Sequence, residues 1–163
     1  MNPQTIYIRR AIPEDLPGID KLLSQVNAVH HEGRPDLFNL GRKYTDSELL
    51  DILADDTRPI FVAVDNNGAE GEIMGYAFCV YQQIIGDNIR TDIRTLYIDD
   101  LCVDEDLRGS GVGTALYNYV INFAREQGFY NVTLNVWSCN PSAQAFYEAR
   151  GLTPYRIGME QIL

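Results

Sequence analysis

Val103 to Leu116 reads VDEDLRGSGVGTAL, and no other stretch restricts the fold of these 163 residues so tightly. Before it, Asp92 to Val103 is β-prone. After it, Val112, Leu116, Tyr119, Val120 and Phe123 fall on one helical face. Three glycines, Gly109, Gly111 and Gly113, let the backbone turn sharply between the two and keep Cβ atoms away from an approaching ligand. A strand that turns through glycines into a helix points to an α/β fold. The helix start presents unpaired N–H groups and a positive dipole end, which together suit a phosphate. Arg108 adds a charge there and Thr114 a hydroxyl. The common nucleotide loops do not fit. A P-loop lacks its lysine here, and a dinucleotide fingerprint needs Gly or Ala where Leu116 stands (counted from Gly111) or where Thr114 stands (counted from Gly109). A glycine-rich turn without a ligand stays open at this point.

The rest of the chain supplies a mixed α/β order. Thr5 to Arg10 alternates as a first strand. Pro13, Glu14 and Asp15 open a helix, followed by Leu16, Ile19, Leu22, Leu23 and Val26 at helical spacing. Glu32 to Lys43 holds two Gly and a Pro and reads as a loop, its polar cluster starting at His30 and His31 and running to Phe38. Thr45 to Glu48 is a capping box that launches a short helix. Pro59 to Asp65 and Glu72 to Gln82 read as antiparallel strands about an Asn66-Asn67-Gly68 turn. The helix from Gly111 ends at Gly128-Phe129. Val132, Leu134 and Val136 then alternate as a strand, Asn140-Pro141 opens a last helix closed by Gly151-Leu152, and Pro154 to Ile162 reads as a final strand. No linker or repeat divides residues 1–163, so one domain is expected, with helices flanking a mostly antiparallel sheet.

Charge narrows the partners. Thirteen Lys and Arg, with Lys21 and Lys43 the only lysines, stand against twenty-three Asp and Glu, for a net charge of −10. Such a surface repels nucleic acid and anionic membranes and attracts cations. No apolar run approaches the roughly 20 residues of a membrane span, and Met1 to Gln4 lacks the pattern of a signal peptide, so a cytoplasmic protein is expected. Cys79, Cys102 and Cys139 are odd in number and far apart, and His30 and His31 point apart. Neither a disulfide framework nor a metal site is expected.

Read together, two motifs resemble the GNAT N-acetyltransferase superfamily. Its acetyl-CoA pyrophosphate loop has Arg or Gln, two residues, Gly, one residue, then Gly or Ala, matched by Arg108-Gly109-Ser110-Gly111-Val112-Gly113. A second family motif is matched by Asn140, Ala143, Phe146, Tyr147, Gly151 and Leu152. Tyr97 to Val103 is locally similar to the strand of the polyamine-type acetyltransferases, which carries an acidic pair where Asp99 and Asp100 stand.

The resemblance implies the acyl-CoA N-acyltransferase fold, acetyl-CoA as co-substrate and an amine acceptor that attacks the thioester directly in a ternary complex. It implies that Leu101, Cys102 and Val103 pair with the pantetheine arm. The backbone N–H of Cys102 or of Val103 would polarise the thioester carbonyl. Residues 108–114 would hold the pyrophosphate. Tyr147 would be the general acid for the departing thiolate. Asn140 would touch the cofactor arm or serve as a helix cap. Asp99 is favoured narrowly as base, with Asp100 gripping a cationic acceptor. Adjacent strand residues face opposite ways unless a bulge intervenes. The implied activity is N-acetylation of a small cationic amine, with a protein amine or a silent acyl-CoA-binding module as alternatives and a homodimer left open.

Overall fold

The computed structural model describes residues 6–65 and 72–163. The Asn66-Asn67-Gly68 turn lies outside the described residues. Five strands form one sheet in the order β1 (Ile6–Arg10), β2 (Ile60–Asp65), β3 (Ile73–Gln83), β4 (Arg94–Val103) and β5 (Asn131–Leu134). The first four run antiparallel, and β5 joins β4 in parallel. Helices α1 (Leu16–Gly33), α2 (Asp46–Leu53), α3 (Val112–Glu126) and α4 (Pro141–Ala149) complete the architecture.

Strand alternation divides the core into two layers. Ile60 and Val62 of β2, with Tyr76 and Phe78 of β3, pack with Ile19, Leu22, Leu23, Leu49 and Ile52 of α1 and α2. Phe61, Ala63, Ala77 and Cys79 face the other way, onto Val112, Leu116, Val120 and Ala124 of α3. Helix α3 lies so close to the sheet that a Cβ on Gly75 would fall 2.8 Å from the Cys102 carbonyl oxygen and 2.9 Å from Leu116. Both predicted glycine caps form. Phe129 N–H reaches the Ala124 carbonyl at 2.9 Å, and Leu152 N–H reaches that of Tyr147 at 3.2 Å. Gly128 and Gly151 hold φ of 76° and 101° between them.

Four expectations need correction. The first helix begins as a single 3-10 turn over Pro13–Asp15 before α1. His30 and His31 belong to the last turn of α1, not to a loop. The helix runs on because the His30 ring packs on Phe38 and Gly33 lies against Cys139, where a Cβ would meet Sγ at 2.6 Å. Val136 falls beyond the end of β5. Pro154 to Ile162 forms no strand in this chain. None of residues 153–163 makes a backbone hydrogen bond among the described residues, so the alternating segment has no ladder to join.

Candidate active site

The ladder between β4 and β5 is short. It runs from Thr95 opposite Asn131 to Ile98 opposite Leu134 and stops. On its other side β4 stays paired with β3 as far as Val103 opposite Gly75. Asp99, Asp100, Leu101, Cys102 and Val103 therefore keep one backbone edge free of any strand among the described residues. An extended ligand can pair with that edge as an added strand. The edge leads through Asp104 and a 3-10 turn (Glu105–Leu107) into the glycine loop.

In that loop Gly109 and Gly111 adopt φ of 80° and 91°, conformations that a side chain with Cβ resists. Gly111 is the N-cap of α3, and its carbonyl accepts from Ala115 N–H at 3.0 Å. The N–H groups of Val112, Gly113 and Thr114 are thereby left without intrahelical partners. Both the N–H and the hydroxyl of Ser110 donate to the Leu107 carbonyl. Gly113 packs on Phe146 and Val103, where a Cβ would make 3.4 Å contacts. Arg108 is exposed. The Thr114 hydroxyl accepts a hydrogen bond from Arg150, whose guanidinium also lies 5.2 Å from the Phe146 ring. Sequence reasoning missed Arg150, because nothing in the residues after Tyr147 announces that the end of α4 returns to the start of α3.

The acidic pair is arranged by a bulge. Phe78 opposes Asp100 and Cys79 opposes Ile98, so Asp99 has no opposite residue. The extra residue reverses the alternation and turns Asp100 onto the face of Tyr76, Phe78 and Cys102. There the Tyr76 hydroxyl donates to Asp100 Oδ2 at 2.6 Å. Burial pushes the Asp100 carboxyl above the usual carboxylate range. The Tyr76 hydrogen bond and the charge of Lys43 pull the other way without prevailing. Asp99 lies nearer the surface. Lys43 Nζ is 3.6 Å from its Oδ2, and the Tyr44 hydroxyl donates weakly to the same oxygen at 3.5 Å. Burial works against the Lys43 charge, but the two aspartates outweigh it and its pKa is raised. His30 completes this wall. Burial lowers its pKa below the ordinary imidazole value, although Asp100 opposes the shift.

Tyr147 and Asp100 share one electrostatic environment. Burial raises the Tyr147 phenol above its ordinary value, and the neighbouring Asp100 and Cys102 raise it further. Its hydroxyl has no hydrogen-bond partner among the described residues. Asn140 is the N-cap of α4, its Oδ1 accepting from Ala143 N–H at 3.3 Å and from Ser142 at 3.1 Å, which leaves its amide nitrogen as a donor. Cys102 is buried in the core, and that burial pushes its thiol up to about 12, against the thiolate form. Lys43, Tyr44 and Tyr76 were not singled out as site residues from the sequence. They reach the site through the loop after α1 and through β3, which local patterns do not connect.

A sequence model of the Acetyltransferase (GNAT) family matches residues 26–152, covering the free edge, the glycine loop and α4. The chain belongs to this acetyltransferase family. A probable glucosamine 6-phosphate N-acetyltransferase of Oryza sativa subsp. japonica is 29% identical over 161 residues, spanning 95% of this chain and 86% of that protein. A tetramutant of the Bacillus halodurans protein BH1408 has a similar structure, with a TM-score of 0.91 at 26% identity and coverage of 96% of this chain and 99% of that one. An aminoglycoside acetyltransferase from an uncultured soil metagenomic sample shares the fold, with a TM-score of 0.73 at 21% identity and coverage of 97% and 95%. As a member of the GNAT family the chain is an N-acetyltransferase, and the acetyl donor of the family is acetyl-CoA.

Proposed function

We propose that this single domain transfers the acetyl group of acetyl-CoA to the primary amine of a small cationic acceptor in the cytoplasm, with both substrates bound together. The observation that carries the reading is the β4 edge from Asp99 to Val103, free of any strand and leading directly to the N–H groups that open α3. Leu101, Cys102 and Val103 would pair with the pantetheine amides. Val112, Gly113 and Thr114 would donate to the pyrophosphate, with Arg108 and Arg150 supplying charge. Ala143 and Asn140 would border the arm. A β4 N–H would also polarise the thioester carbonyl, a contribution of about 3 kcal/mol where such donors have been removed from other enzymes.

At pH 7.4 a primary amine of pKa about 10.4 is neutral in about one molecule per thousand, so a group must accept its proton. Asp100 is the better base of the two aspartates. Its raised pKa brings it closer to operating pH, and it shares the environment of Tyr147. Asp99, paired with Lys43, is the better acceptor-binding group, which reverses the order expected from sequence. Tyr147 stays protonated at neutral pH and can give its proton to the departing thiolate.

Lys43 favours a second reading, an amine that also carries an anionic group. Beside Asp99 and Asp100, it gives the acceptor wall one cation as well as two anions. The experiment is acetyl-CoA turnover, read as thiol released, against polyamines, aminoglycosides, amino sugars with and without phosphate, amino acids and Lys-containing peptides. Release with unphosphorylated polycations supports the first reading. Release confined to phosphorylated or carboxylated amines supports the second. Release with peptides alone replaces both with a protein-amine acetyltransferase. Silence throughout, with acetyl-CoA still raising the melting temperature, leaves a silent binding module.

A further inference from the structure

Of the thirteen Lys and Arg in the sequence, only Lys21 and Lys43 carry a primary amine, the group on which the proposed reaction acts. Lys43 stands in the acceptor wall itself. Its Nζ lies 3.6 Å from Asp99 Oδ2 and 5.2 Å from the centre of the Tyr44 ring. Asp99 opens the free β4 edge along which the acetyl donor would lie. The backbone on either side of Lys43 is fastened. Arg42 pairs with Asp20 of α1 and with Asp46 of α2, and the Tyr44 ring stacks on Phe78 of β3 with ring centres 5.9 Å apart. A fixed segment thus delivers an amine on a flexible four-carbon stem. Stability is a poor reason for the placement. The Lys43–Asp99 contact is long and its side chains are 39% and 34% exposed, and a pair of that kind contributes little. Lys21 is 62% exposed and bound to Asp104 at 3.0 Å, so a reagent in solution reaches it more readily.

We propose that Lys43 is an acetyl acceptor within its own chain, taking the acetyl group of bound acetyl-CoA when no other amine fills the site. The inference rests on the function proposed above, with acetyl-CoA as donor and Asp100 as base. The Lys43 ammonium gives one proton to the Asp100 carboxylate, and the freed lone pair on Nζ forms a bond to the thioester carbonyl carbon. The C–S bond breaks and the departing thiolate takes the Tyr147 proton. A second proton leaves the nitrogen as the amide forms and restores the tyrosine, while the proton on Asp100 passes to solvent. The products are acetylated Lys43, free CoA thiol and one released proton. Burial opposes the Lys43 charge and the two aspartates restore it, so Lys43 enters the reaction protonated, as an external amine would. Attachment to the chain replaces a separate binding step. The amide formed carries no charge, so Asp99 and Asp100 lose the cation that faced them and the wall becomes more acidic toward the next acceptor.

The test is to add acetyl-CoA, and no amine, to the full chain with Lys43 unmodified at the start, and to read peptide masses and thiol release. One acetyl group on Lys43, far less on Lys21 and one equivalent of thiol are expected. The rate constant should not depend on protein concentration and should fall at least about tenfold in Asp100→Asn. The equivalent of thiol should disappear in Lys43→Arg. Labelling of Lys21 as fast as Lys43, or an unchanged rate in Asp100→Asn, means simple chemical acetylation and overturns the proposal. A rate constant that rises with protein concentration means transfer between copies and overturns it as well. Should Asp100→Asn lose its CD signal, the wild-type chain unfolded in urea takes its place, and equal labelling of Lys43 there is equally fatal. The panel of amines, run alongside, separates this inference from the reading beneath it. An unlabelled Lys43 with turnover of the panel overturns the inference alone, and an unlabelled Lys43 with a silent panel overturns the proposed transfer with it.

Discussion

In the proposed role of base, Asp100 would meet two opposed demands, since burial disfavours its charge while proton acceptance requires it. Its pKa is raised, so the ionised form is the strained one at neutral pH. Asp100→Asn removes that charge and keeps an acceptor for the Tyr76 hydroxyl. The variant is expected to lose turnover and to melt at a higher temperature than the wild type. A lower melting temperature would show that the carboxylate stabilises the fold. The sign for activity follows from the same shift. A base with a raised pKa becomes protonated at a pH where an ordinary carboxylate is still ionised. The acid limb of the pH–rate profile is therefore expected above the usual carboxylate range, and it should vanish in Asp100→Asn. Tyr147→Phe is expected to lower turnover at least about tenfold while acetyl-CoA affinity stays within a few-fold, measured by steady-state rates and calorimetry. Little at this scale was legible beforehand. The residue types of the pair were visible in the sequence, but which one turns inward depends on a bulge that only the register against β3 reveals.

At the scale of elements, local chemistry announced most of the structure. The Thr45 capping box forms as expected, with Thr45 Oγ1 accepting from Glu48 N–H at 3.2 Å and the Glu48 carboxylate accepting from Thr45 N–H at 2.7 Å. The glycine caps after α3 and α4 do the same, because each device is complete within six residues. The glycine loop was legible for that reason too. Gly111→Val places a β-branched side chain at φ of 91° where the pyrophosphate would approach. Acetyl-CoA affinity is expected to fall at least about tenfold with the CD spectrum retained. Undiminished affinity would remove the phosphate role of the loop. What failed was non-local. Alternation over Pro154–Ile162 announces a strand, but a strand also needs an edge to join, and no local pattern names that edge. The last turn of α1 was hidden for a similar reason, since Phe38 and Cys139 support it from distant positions.

For the whole molecule, the proposed cationic acceptor would be drawn by a net charge of −10 toward the wall where Asp99 and Asp100 face Lys43. With a polyamine or aminoglycoside acceptor, KM for the amine is expected to rise when salt goes from about 0.01 to about 0.15 M, as the Debye length falls from roughly 30 to 8 Å. A KM that does not move would detach the surface charge from acceptor capture. The two-layer architecture serves the site by letting β4 and β5 part after Ile98 while α1 and α3 hold β4 from its two faces. Fold class was readable because it follows from the order of the elements. The parting of the strands was implied only through the family resemblance, and its extent is a property of the assembled sheet. Amide hydrogen exchange with and without acetyl-CoA examines that parting most directly. Protection is expected at residues 99–103 and 111–115, and ATP at the same concentration should protect only the second segment. If acetyl-CoA leaves the β4 edge exchanging as before, or if ATP protects both segments alike, the free edge is not where the acetyl donor binds.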